Sequence, residues 1–214
     1  MNKPLTFLLS LTFLFLFSGS VYGQGAVKKE YWDNGKLRLE IPYNGLGTWW
    51  YESGEKYEEM HYKNGRKDGL ATYWRRSGAK TAEIYYKNGN RDGVATAWYP
   101  SGQKLIERHW KNGIRDGRET LWHKNGNKHG EIYYKNGFPE GVETWWYRNG
   151  KKRDETHHKN GKREGLVTHW YESGRKISIK HFKNGKENGI RKEWDENGTL
   201  TYEGNFIDGY EEIK

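Results

Sequence analysis

The triplet Lys-Asn-Gly recurs at Lys63, Lys87, Lys111, Lys135, Lys159 and Lys183, a spacing of 24 residues each time. A fixed period of this size constrains a chain more than any composition does. It requires one supersecondary unit to be stacked repeatedly, each copy contacting its neighbours. A shortened copy, Tyr43 to Tyr62, precedes the six, the half-copy "YWDNGKLRLEIPY" leads it, and "IDGYEEIK" trails the array.

Each period holds two turn signals, as in "NGNRDG" at Asn88 to Gly93 and "PSGQK" at Pro100 to Lys104. Between them lie runs such as "VATAW" and "KLIERHW", rich in β-branched and aromatic residues, which read as the strands of β-hairpins. Glycine serves these turns because it adopts positive φ without a Cβ clash, and asparagine tolerates that region better than most residues. The expected fold is all-β: an elongated single-layer antiparallel β-meander of 24-residue hairpin repeats, twisted or curled into a trough. Two strands per period plus the half-copy give about 15 strands, which at about 4.8 Å each would extend about 70 Å.

Columns across the copies carry the next level of information. Trp50, Trp74, Trp98, Trp122, Trp146, Trp170 and Trp194 form one, and Thr48, Thr72, Thr96, Thr120, Thr144 and Thr168 lie two residues before the first six, hence on the same face. Tyr62, Tyr86, Trp110, Tyr134, His158, Phe182 and Phe206 form a second aromatic column. A three-residue loop at the Ser-Gly or Asn-Gly turn would place Leu70, Thr72, Trp74, Ala82, Ile84 and Tyr86 on one surface, removing the most apolar area from water, and is the expected register. The Trp column would then be the longest stabilising ladder of a sheet with no opposing layer.

Glu59, Glu83, Glu107, Glu131, Glu155 and Glu203 make a third column, and Lys56, Lys80, Lys104, Lys128, Lys152 and Lys176 a fourth. They read as solvated flanks with cross-strand ion pairs, or alternatively as a basic rail for an anionic polymer. Candidate binding-surface residues are therefore Trp74, Trp98, Trp122, Trp146 and Trp170 together with Lys80, Lys104, Lys128, Lys152 and Lys176.

The segment before the array, "MNKPLTFLLSLTFLFLFSGSVYGQ", has Lys3, an apolar run of 13 residues from Leu5 to Phe17, and small residues before Gln24. That layout is expected to be a secretory signal peptide over residues 1–23, cleaved after Gly23, because the run falls short of the roughly 20 residues that span a bilayer. Residues 24–214 then form the repeat domain, about seven repeats plus partial terminal copies, with no transmembrane span. An exported chain without cysteine has no disulfides and no thiolate chemistry. A mean hydropathy of -1.16 would ordinarily suggest disorder, but 16% aromatic residues supply amphipathic side chains able to cover a sheet. The formal charge of +9, close to +8 without Lys3, favours an anionic partner such as an acidic glycan, lipid head group or acidic protein face.

The C-terminal "YEGNFIDG", Tyr202 to Gly209, resembles the Tyr-Glu-Gly-x-Trp signature of the membrane occupation and recognition nexus (MORN) repeat. The other copies, such as "EIYYKNGNRDG" and "ERHWKNGIRDG", keep the Glu, aromatic and Asn-Gly positions without the Tyr-x-Gly part, and so resemble the MORN-variant repeat of many bacterial proteins. The resemblance implies a β-hairpin array used for protein or lipid contact, and, since some members are antitoxins of toxin-antitoxin systems, an antitoxin or immunity role as the alternative. It implies no catalytic or cofactor-binding residue.

Nothing in the chain points to catalysis. His157 and His181 stand one period apart, about 10 Å, too far for one zinc, so structural or surface roles are expected for them and for His158 and His169. A Glu column supplies paired carboxylates by geometry alone, and no nucleophile elbow or phosphate-cradling loop occurs. The sequence thus predicts a non-enzymatic binding or scaffold protein of the bacterial cell envelope or extracellular space, without cofactor. Nucleic acid is the less expected partner, despite charge and aromatics that suit stacking, because the chain is read as exported.

Overall fold

The computed structural model describes residues 25–212, so the leader expected at 1–23 lies outside the described residues. Among the described residues nineteen strands join one antiparallel sheet in which each strand pairs only with strands next, or next but one, in sequence, from Val27–Tyr31 at one edge to Tyr210–Glu211 at the other. The sheet is an open single-layer meander. The excess over fifteen comes partly from Phe138–Pro139 and Lys186–Glu187, short strands that precede Gly141–Trp146 and Gly189–Trp194 where the bulge at Glu140 and Asn188 interrupts pairing. No helix among the described residues is long and apolar enough to cross a membrane.

Two alternating turns build the meander. At the Asn-Gly turn, Lys63 pairs with Arg66 and Lys87 with Asn90, so only Asn and Gly lie in the loop. Asn64, Asn88, Asn112, Asn136, Asn160 and Asn184 have φ of 52, 51, 49, 52, 51 and 53°, and the glycines that follow are also positive. Two successive positive φ angles define the type I′ turn, whose twist matches that of the flanking strands. The Asp or Glu four residues beyond the first five of these Asn then serves the next copy: the Asn88, Asn112 and Asn136 amides donate to the carboxylates of Asp68, Asp92 and Asp116 at 3.0, 2.9 and 3.1 Å. The Gly89 and Gly113 amides likewise donate to the Lys67 and Arg91 carbonyls one repeat earlier, at 2.7 and 2.8 Å.

The other turn is a three-residue loop, as expected. The Arg75 amide donates to the Ala79 carbonyl at 2.9 Å, leaving Arg76, Ser77 and Gly78 as the loop. This rim is stitched as well. The Tyr51, Tyr99, Tyr147 and Tyr171 hydroxyls donate to the carbonyls of Trp74, Trp122, Trp170 and Trp194, at 2.9, 2.8, 2.7 and 3.1 Å.

The expected face assignment is overturned just beyond that loop. Trp74 pairs with Lys80, but Tyr73 pairs with Ala82, leaving Thr81 as a bulge. One extra residue flips every side chain after it to the other face. Thr72 consequently faces Glu83, and Ala71 faces Ile84, so the Trp and Thr columns share a face with the Glu column while Tyr86, Ile84 and Ala82 lie on the opposite face. The same shift recurs at Leu105, His129, Arg153 and Ile177.

One face is regular. Its Thr and Glu columns alternate across the strands without a break from Glu40 through Thr48, Glu59, Thr72 and onward to Glu155 and Thr168. Each directly opposite a Glu, Thr48, Thr72, Thr120, Thr144 and Thr168 are buried. The opposite, variable face holds most of the buried apolar side chains, including Met60, Ala71, Ile132, Val167 and Phe206. Glycine between the faces is required sterically: Gly69 and Gly117 have φ of +120 and +113°, and a Cβ there would lie 2.9 Å from the Cβ of His61 or His109.

Candidate functional site

Each of the Trp and Lys residues expected to form a binding surface sits on the regular face beside its three-residue turn, in direct pairs: Trp74 with Lys80, Trp98 with Lys104, Trp122 with Lys128, Trp146 with Lys152, and Trp170 with Lys176. The Trp rings are half-buried and the lysines exposed. Most of these lysines are already engaged. Lys80, Lys104 and Lys128 pair with Glu83, Glu107 and Glu131 at 2.6 Å, and Lys56 and Lys152 pair with Glu59 and Glu155. These pairs run along one strand rather than across strands, because the bulge residue brings positions three apart onto one face. Lys104, Lys128 and Lys152 also lie 5.6, 5.6 and 5.7 Å from the ring centroids of Trp122, Trp146 and Trp170 in the next copy. The column is therefore a repeated packing unit with its charge locally balanced. Lys176 differs, with Ile179 where the others have Glu.

The second aromatic column lies on the variable face in a row of cations. Tyr86 pairs with Arg91, Trp110 with Arg115, and His158 with Arg163. Arg91 and Arg115 lie 5.0 and 5.9 Å from the Trp110 ring, and Arg163 lies 5.3 Å from Phe182. Such contacts contribute about 0.5–1 kcal/mol each at exposed sites. Near the start of the row, burial pushes the Tyr62 hydroxyl up to about 12, with Glu58 and Tyr86 adding to the effect. Burial also raises Glu58 against the opposing influence of Lys67 and the hydrogen bond from Tyr73.

Inward of that row the copies cease to resemble one another. Directly opposed pairs run Tyr73–Ala82, Ala97–Ile106, Leu121–Gly130, Trp145–Asp154 and His169–Ser178. Partners on the other side of each strand are matched by size or charge: Gly130 opposes Trp145, and Asp154 opposes His169.

The most polar stretch forms a basin of about 260 Å³ lined by Glu143, Trp145, Arg153, Asp154, Thr156, His158, Arg163 and His169. Glu143 accepts from Trp145 Nε1 at 2.5 Å and from His158 Nε2 at 2.6 Å. Asp154 accepts from His169 Nδ1 at 2.6 Å and Arg153 Nε at 2.5 Å. Burial opposes ionisation of Asp154, but the hydrogen bonds from His169 and Arg153 outweigh it and hold the carboxyl below its usual range.

The histidines singled out from sequence separate here. His158 and His169 meet in the basin, whereas the ring nitrogens of His157 and His181 engage the Leu166 and Ile190 carbonyls at 2.9 and 2.8 Å on the other face. No three His, Asp or Glu side chains among the described residues gather as a metal site would require. Sequence reasoning missed Glu143, Trp145, Asp154, Arg163 and His169 as a group. The signal that finds them is the column that varies most between copies.

Comparison with known families agrees with the architecture. No curated protein matches the chain. The family model described as MORN repeat variant matches residues 24–44, 43–64, 91–112, 115–136, 139–160, 163–184 and 187–208. The copy between 64 and 91 keeps the common register although it carries Arg75 where its neighbours carry Tyr51 and Tyr99. With seven matched segments spread over most of its length, the chain belongs to the MORN repeat variant family.

Proposed function

We propose that this chain is a non-enzymatic binding scaffold, exported to the bacterial cell envelope or beyond, that holds a protein partner on its variable face. One observation carries the reading: the two faces of one sheet differ in how strictly they repeat. The regular face returns Trp, Thr, Glu and Lys at the same places copy after copy, as a structural ladder must. The opposite face substitutes Ala97, Leu121, Trp145 and His169 at one position and Ala95, Glu119, Glu143 and Val167 at another. A surface freed from periodicity suits an irregular object such as a folded protein better than a repeating polymer. Export is supported by the leader-like composition of residues 1–23, and basicity favours an acidic partner.

The test is capture from envelope extract with the mature chain, alongside a variant in which Trp145 and Arg163 on the variable face are replaced and one in which Lys80 and Lys104 on the regular face are replaced. A partner lost only by the first variant supports the proposal. Equal capture by both variants, or recovery of the chain from cytoplasm with residues 1–23 intact, would sink it.

A further inference from the structure

We infer that the basin at Glu143, Asp154 and Arg163 is a socket for one carboxylate, an Asp or Glu side chain of the protein partner. This rests on the binding role proposed above and names the chemistry of its anchor. Glu143 is taken by Trp145 Nε1 and His158 Nε2, and Asp154 by His169 Nδ1 and Arg153 Nε. Both native acids thus have donors of their own. Arg163 is exposed, and no carboxylate pairs with it among the described residues; its contact is with the Phe182 ring. Arg153 lies 5.6 Å from the Trp145 ring centroid and hydrogen-bonds Asp154 through its Nε alone. The basin lining therefore keeps donors to spare: the Arg163 fork, the remaining Arg153 nitrogens and the Thr156 hydroxyl.

Two further features narrow the ligand. The two acids of the lining are formally balanced by Arg153 and Arg163, so a dianion such as phosphate meets about twice the repulsion of a monoanion, and a planar carboxylate is the monoanion that a guanidinium fork grips in bidentate fashion. The constellation also occurs once. At the positions equivalent to Asp154 and His169 the other copies hold Glu58 and Tyr73, Ala82 and Ala97, Ile106 and Leu121, Gly130 and Trp145, or Ser178 and Glu193, and none of these repeats the carboxylate–imidazole pair. A polymer of repeating acidic units would be met by a periodic row, and a single socket is met by a single side chain.

The experiment is a nuclear magnetic resonance titration of the full mature chain with N-acetylglutamate amide, using the N-acetylglutamine counterpart as neutral probe and the Trp145 indole N–H as reporter. Saturable shifts with the acid and none with the amide are expected. Binding should be about tenfold weaker in Arg163→Gln, intermediate in Arg163→Lys, and unchanged in Arg91→Gln, whose guanidinium sits in the same row three repeats away. If Arg163→Gln does not fold, the Lys variant decides. Absence of saturable shifts, or equal weakening by Arg91→Gln and Arg163→Gln, overturns the socket, as does a hexuronate oligomer that binds with its loss spread over both variants. Should Arg163→Gln capture the envelope partner as well as wild type while the Trp145 and Arg163 double replacement does not, the socket fails and the binding role stands.

Discussion

Trp145 occupies the space that a side chain at residue 130 would fill: a Cβ on Gly130 would come within 2.6 Å of Trp145 Cζ3. The φ of Gly130 is ordinary, so the glycine is there for the ring and not for the backbone. Gly130→Ala should push Trp145 away from Glu143, lose the indole hydrogen bond and cost about 1–3 kcal/mol. Adding Trp145→Leu should recover part of that loss, since Ile106 and Leu121 share the corresponding contact one repeat earlier. Urea unfolding of both single variants and the double closes the cycle.

Trp122 has a column neighbour on each side, and its carbonyl accepts from Tyr99, whereas Trp194 ends the column. Trp122→Ala should cost on the order of 3 kcal/mol, near the lower end for truncating a large aromatic because the ring is half-wet. Trp194→Ala should cost less and fray only the last strands. Equal, negligible shifts in the urea midpoint would mean the Trp column is not a structural ladder.

Asp154 makes stability depend on pH in one direction. A carboxyl held below its usual range in the folded chain stabilises that chain at any pH above the unfolded value, and the contribution disappears as pH falls through the folded one. Asp154→Asn should therefore unfold more easily than wild type at pH 7. The gap should stay constant down to about pH 4 and close below it. Unfolding midpoints measured down that series check the sign, and a gap that widened in acid would contradict the geometry.

Asp116 accepts from the Asn136 amide of the next copy at 3.1 Å on an exposed rim. Its replacement by Ala should cost about 1 kcal/mol or less, since water can substitute. The sharper readout is local: hydrogen exchange at the Asn136 amide should accelerate, while that of Asn88, capped by Asp68, stays as it was.

The meander was legible because Asn-Gly and Ser-Gly turns have few conformational options, and a spacing repeated without error leaves little else to pair. Lys63 with Arg66 follows from the two-residue loop alone. The face of each side chain was not legible, because the deciding residue, Thr81, is a good strand former by type and nothing in its identity marks it as the bulge. That single offset moved the second aromatic column away from the tryptophans. It also hid the basin, since Asp154 and His169 are 15 residues apart in sequence and stand opposite each other only when the register shift between Thr156 and His158 is known.

The offsets also determine what the array can become. Each copy returns the chain to the same register, with the bulge at one end and the extra residues near Gly93 at the other. The rim contacts pass from one copy to an equivalent group in the next. A unit of 24 residues can therefore be duplicated, deleted or exchanged by recombination between copies without disturbing its neighbours' pairing. Because the regular face is interchangeable and the variable face is not, such exchanges shuffle recognition chemistry on a constant frame, and new specificity can arise by rearranging existing copies before any single residue changes.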